Sequence, residues 1–128
     1  MAGGGSLLIG VTNRHLRKPR YVTARLLRAL VMAIEAGLPQ GRSLELAVQA
    51  ADHPDLTAHV RRQGALAIAQ QPLSRTLSGA PLVPREVVAA LEVAEGTGNF
   101  SDTLGRLAVS YEAGGLAWSG RERRRHDH

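Results

Sequence analysis

The chain has 128 residues, 44% of them apolar but only 3% aromatic, with no cysteine and a formal charge of +5. That length suits one domain with its own core, and a core of Leu, Ala and Val favours close-packed helices over a sheet. The lack of cysteine excludes a disulfide framework and a thiolate metal site. No run approaches the ~18 apolar residues of a spanning helix, so the sequence reads as soluble.

In chain order, residues 1–19 are Gly-rich and basic and predict a flexible N-terminal segment. The apolar run in GGGSLLIGV is too short, and lacks the basic start, for a signal peptide. Residues 14–28 then hold six basic side chains (Arg14, Arg17, Lys18, Arg20, Arg25, Arg28) and no acid. The first helical stripe is Leu27, Leu30, Val31, Ile34 and Leu38, which recur on one face at a period of 3.6. Gly37 suits the left-handed position after a helix C-cap, and Pro39 suits the first turn of the next helix, where no N–H is needed. That second helix turns Leu44, Val48 and Ala51 inward. DHPD breaks it, and Asp55 is expected to cap a third helix on which Leu56, Val60 and Ala67 share a face, with Arg61 and Arg62 outside.

Pro72 and Pro81 bracket at most two helical turns carrying Leu73 and Leu77. Pro84 opens a fifth helix with Val87, Val88 and Leu91 inward. The longest stripe follows: Phe100, Leu104, Leu107, Ala108 and Tyr111, extending to Trp118. Asn99 and Asp102 form a weakened capping box at its start, while Gly114 and Gly115 loosen its last turns. No alternating strand pattern occurs. The predicted fold is all-α, a compact bundle of about six helices joined by short Gly/Pro turns over residues 20–118. Residues 119–128 form a basic C-terminal tail.

Little in the sequence asks for chemistry. His15, His53, His59, His126 and His128 do not pair with one another or with acids at helical metal spacing within the body, and only the terminal HDH clusters. No nucleophile elbow exists, and GTG neither follows a strand nor has the third glycine of a dinucleotide fingerprint. No catalytic residue, cofactor site or metal site is therefore expected. Residues 29–120 hold six basic and nine acidic side chains, so an acidic body carries basic ends. Such ends suit nucleic-acid phosphates, or the cytoplasmic flank of a membrane span. A small basic nucleic-acid-binding protein is the alternative function, although aromatic residues do not interleave with the basic ones and the arginines avoid a single helix face.

The anomaly is Glu95 in LEVAEGTGNF. It shares the apolar face of Val88 and Leu91 and lies near a helix C-terminus, where the macrodipole disfavours negative charge. The preferred reading is structural, with the carboxylate accepting N–H groups at the start of the following helix. The other is a hard-cation site made by Glu92, Glu95 and Asp102.

The motifs carry a resemblance. EAGLPQGRSLELA presents Ala36, Gly37, Leu38, Pro39 and Leu44 as a first helix ending in AGLP with a leucine soon after. Val83-Pro84 precedes the fifth helix. AEGTGNF and DTLGRLAVSYE place Glu95, Thr97, Gly98, Phe100, Leu104, Leu107, Tyr111 and Glu112 as a G-E-x-[ST]-G-x-L turn followed by a helix ending in YE. Over residues 21–113 the chain resembles the cytoplasmic domain of the F-type inner-membrane platform proteins of type II secretion systems, a domain shared with type IV pilus assembly platform proteins. It departs from them at Ala94 and Phe100, and at Gln70 and Pro72, where the short fourth helix usually follows a Gly and carries a Ser.

The resemblance implies a non-enzymatic scaffold at the cytoplasmic face of the bacterial inner membrane. The implied partners are the secretion or pilus assembly ATPase, other platform proteins and a second copy in a homodimer, with no specific nucleic acid. It also implies membrane association only through transmembrane segments that this chain does not contain. Gly37, Pro39, Leu44, Pro84, Glu95, Gly98, Leu104 and Tyr111 are its structural motif.

Overall fold

The structure is a computed structural model that describes residues 18–114. The expectations for Trp118, for residues 1–17 and for the basic tail fall outside those residues. Among the described residues there are seven helices and no strand: α1 Pro19–Glu35, α2 Gln40–Ala51, α3 Pro54–Arg61, α4 Ala65–Gln70, α5 Leu73–Leu77, α6 Arg85–Thr97 and α7 Phe100–Glu112.

Helix α1 begins with Pro19, whose missing N–H costs nothing in a first turn, and buries Val22, Leu26, Leu27, Leu30 and Val31. It ends in a Schellman arrangement. Gly37 (φ +81) donates to the Ile34 carbonyl at 2.9 Å, and Leu38 donates to that of Ala33 at 3.1 Å. Leu38 thus lies beyond the helix and stays 37% exposed, so the stripe ends at Ile34. Pro39 is the N-cap of α2 rather than part of its first turn.

Two expectations about the next segment are corrected. The cap of α3 is His53, whose Nδ1 accepts the Asp55 N–H at 3.2 Å; Asp55 is instead an acid in the first turn. The expected third helix is also two helices, because the chain turns through Gly64 at φ +86. α4 then starts on a new axis, and Ala67 does not continue the face of Leu56 and Val60. That break raises the helix number from the expected six to seven.

Helix α1 sits at the centre, packed most extensively on α2 and α7; α7 packs on α6, and α6 on α5. α3 and α4 lie against α2. Polar side chains close the circle. Gln63, after α3, donates from Nε2 to the Thr76 carbonyl of α5 at 2.7 Å, and Gln71 donates to the Gln63 Oε1 at 2.6 Å and to the Thr76 Oγ1 at 2.8 Å. Inside the ring Leu26, Leu27, Leu30, Leu44, Leu56, Leu77, Leu91, Leu104 and Tyr111 are wholly buried. Tyr111 is the one buried aromatic among the described residues, as expected of a core made from aliphatic side chains.

Candidate functional site

The α6–α7 corner positions Glu95. The Pro84 carbonyl accepts the Val87 N–H at 2.9 Å and opens α6, which buries Val87, Leu91 and Ala94. Glu95 follows Ala94 and lies half-buried at the edge of that face. Gly98 reverses the chain at φ +78, and its N–H reaches the Ala94 carbonyl at 2.7 Å. Asn99 then caps α7, its Oδ1 accepting the Asp102 N–H at 3.2 Å. The return half of a capping box is not formed by Asp102; the Asn99 N–H is taken by Thr97 Oγ1 at 3.2 Å.

Glu95 therefore does not cap the following helix, which corrects the preferred sequence reading. Its Oε2 accepts the Ser74 N–H at 3.0 Å and its Oε1 accepts the Ser74 hydroxyl at 2.6 Å. The reason lies in α5. The N-cap of that helix is Pro72, which has no side-chain acceptor, so the free N–H of the first turn needs an oxygen from elsewhere. Glu95 supplies it from another helix. A carboxylate disfavoured by the end of its own helix is thus placed at the electropositive start of a second one.

The candidate cation ligands do not assemble. Glu95 is engaged by Ser74, Asp102 Oδ2 meets Arg106 Nη2 at 3.0 Å, and Glu92 is exposed. Among the described residues no group of three or more His, Cys, Asp or Glu side chains could hold a metal ion. The remaining motif residues define the fold. Leu44, Leu104 and Tyr111 are fully buried, Gly37 and Gly98 are left-handed, and Pro39 and Pro84 precede α2 and α6.

The basic run at the start of α1 is largely spent inside the chain. Arg20 donates from Nη1 to the Gly114 carbonyl at 3.2 Å and lies over the Tyr21 ring at 4.8 Å. Arg25 binds the last carbonyls of α2, Ala50 from Nε at 3.0 Å and Ala51 from Nη2 at 2.5 Å. Burial lowers the Arg25 pKa, against the opposing field of Asp52, without removing its charge. Arg28 pairs with Glu112, which raises its pKa through the hydrogen bond and through charge. Arg20 and Arg25 are thus engaged by backbone carbonyls, while Arg28 stays exposed in its pair with Glu112.

One groove of ≈ 680 Å³ opens between α2, α3 and α4. Leu44, Val48 and Val60 form its floor, while Arg42, Asp52 and Arg61 stand on its walls. Its rim mixes both signs, with Arg42 paired to Glu45.

The family model described as Type II secretion system (T2SS), protein F matches residues 26–114. The chain belongs to the type II secretion system protein F family. The matched span includes both the AGLP turn and the Glu95–Gly98 corner, each built around a left-handed glycine. No curated protein and no solved structure matches the chain. No helix among the described residues is long and apolar enough to cross a membrane.

Ser74 is the partner of Glu95 that sequence reasoning missed, and the signal for it was Pro72. A one-turn helix capped by proline needs an outside acceptor, and a misplaced carboxylate needs a donor.

Proposed function

We propose that this member of the protein F family is a non-enzymatic assembly scaffold, a platform domain for type II secretion or for the related type IV pilus assembly. It works at the cytoplasmic face of the bacterial inner membrane, where its helical surfaces hold the assembly ATPase and other platform proteins, and it self-associates as a homodimer. The observation that carries this reading is the family match across nearly the whole described body. It is supported by internal contacts of polar signature side chains: Glu95 accepts from Ser74, Thr97 accepts the Asn99 N–H, and Glu112 pairs with Arg28. A surface that binds partners needs such internal rigidity and no reacting group.

The test is affinity capture with the intact chain as bait and the purified assembly ATPase and platform proteins of the same cell as prey. Retention of the ATPase or of a platform protein is expected. A chain that is helical by circular dichroism yet retains none of them contradicts the reading.

A further inference from the structure

Helix α4 breaks the pattern of the bundle. Five of its six residues, Ala65, Leu66, Ala67, Ile68 and Ala69, are apolar, yet none is buried. Leu66, at 71%, is the most exposed large apolar side chain among the described residues. A helix this apolar on every side is ordinarily buried. This one is fastened mainly at its C-terminal end. Its Ala69 Cα approaches α2 at Gly41, where an added Cβ would lie 3.9 Å away, and Gln40 donates from Nε2 to the Gln71 carbonyl at 2.5 Å.

The uncovered apolar surface of α4 continues into the groove of ≈ 680 Å³. Gly41, Leu44, Glu45, Val48, Gln49 and Asp52 line that groove and recur at the helical period, so one face of α2 lines it from end to end. Such a face is ~17 Å long, about three turns. Val60 of α3 and Ala65 and Ile68 of α4 add to the lining. The charges around it are unevenly matched. Glu45 is paired with Arg42, and Asp52 lies in the field of Arg25. Arg61 on the wall and Arg62 after it are both exposed. Among the described residues no ion pair or hydrogen bond engages either guanidinium.

We propose that the groove between α2, α3 and α4 is a docking site for an amphipathic helix of a partner protein, about three turns long, whose apolar face is flanked by carboxylates. The α2 face offers a track for apolar side chains spaced i, i+3 or i+4, and i+7. Leu66 adds apolar cover at the edge, and Arg61 and Arg62 take the acids. Shape and charge set other occupants aside. A flat bilayer does not reach the floor of a groove. Two free cations neutralise only two phosphates, and a duplex backbone leaves Leu66 and the floor uncovered. Of the other exposed arginines, Arg28 and Arg106 are paired with Glu112 and Asp102, while Arg75 and Arg85 lie on α5 and α6 and do not line the groove. The inference deepens the scaffold reading and rests on it for the source of the helix, but the groove itself can be tested without any assembly protein.

A labelled synthetic helix of about 14 residues, with leucines on one face and glutamates flanking them, is titrated with the intact chain and followed by fluorescence anisotropy. A second helix carries lysines in place of the glutamates, and a DNA duplex and phosphatidylglycerol vesicles serve as competitors. The acidic helix is expected to bind at least about tenfold tighter than the lysine helix. Leu66→Ala should weaken its binding by about tenfold, and so should the double variant Arg61→Gln, Arg62→Gln. All three positions are exposed, and unchanged helical circular dichroism shows that each variant is folded. No binding of the acidic helix, equal binding of the two helices, full binding by either variant, or displacement by DNA or vesicles would overturn the proposal. Loss of self-association in Leu66→Ala, read by sedimentation, would assign the groove to a second copy and overturn it too. If the variants capture the assembly proteins as well as the unaltered chain does, the scaffold reading stands and this one falls. If the chain captures none of them yet binds the acidic helix, the reverse holds.

Discussion

Glu95 and Ser74, 21 residues apart in sequence, are joined by two hydrogen bonds from one residue to one carboxylate, at 2.6 and 3.0 Å. This pair fastens the short α5 to α6 and brings one end of the bundle under the same control as the family's signature turn. Because the carboxylate accepts both the backbone and the hydroxyl of Ser74, its bonds are charge-assisted and stronger than those of a neutral cap.

The two glycines of AEGTGNF should respond oppositely to substitution. Gly98 has φ +78, and a Cβ added there would meet nothing within 4 Å, so Gly98→Val meets backbone strain rather than a clash. A cost of about 1–2 kcal/mol is expected, in line with the left-handed penalty for L-residues. Gly96 lies in α6 with no positive φ and nothing within 4 Å of an added Cβ. Gly96→Ala should therefore raise stability by up to ~1 kcal/mol. Urea unfolding of the two variants checks the contrast, and a loss in both would mean that α6 needs glycine at Gly96 as well.

Thr23 is wholly buried and holds the loop before α6. Its hydroxyl lies 2.6 Å from the Leu82 carbonyl and 3.0 Å from that of Pro19, and Leu82 itself is left-handed at φ 67. Thr23→Val keeps the shape but leaves the Leu82 carbonyl without this donor. A loss of ~1–3 kcal/mol is expected, with Thr23→Ser losing less because the hydroxyl remains. Denaturant midpoints for the two variants give the comparison.

Leu104 is fully buried on α7. Leu104→Ala should cost ~2–5 kcal/mol by removing apolar contact and leaving a cavity. By contrast Val109→Ala, at a residue 54% exposed, should shift the thermal midpoint little. Calorimetry of both variants ranks them, and similar losses would show that the exposed face of α7 is covered in solution.

Millimolar calcium should leave the melting temperature unchanged, since Glu95 is bound to Ser74 and Asp102 to Arg106. A calcium-dependent rise that disappears in Glu92→Gln would show that the three acids gather after all.

The helical class, the AGLP turn and the Asn99 cap were legible in the sequence because each is a local event. Gly37 needs only its own φ, and Asn99 reaches an N–H three residues on. The partner of Glu95 was not legible, because a contact across 21 residues depends on how α5 sits on α6. The split at Gly64 was hidden by an apolar spacing that continues across it. The basic run at the start of α1 misled for a related reason. Charge is visible in a sequence, but the carbonyls and the carboxylate that absorb Arg20, Arg25 and Arg28 belong to α2 and to the end of α7.

The most direct test of Glu95 as an internal tie is a double-mutant cycle between Glu95→Gln and Ser74→Ala, read by urea unfolding at neutral pH. The structure predicts a coupling of about 1 kcal/mol or more, with Glu95→Ala costing ~1–3 kcal/mol on its own. Strictly additive effects of the two substitutions would contradict it.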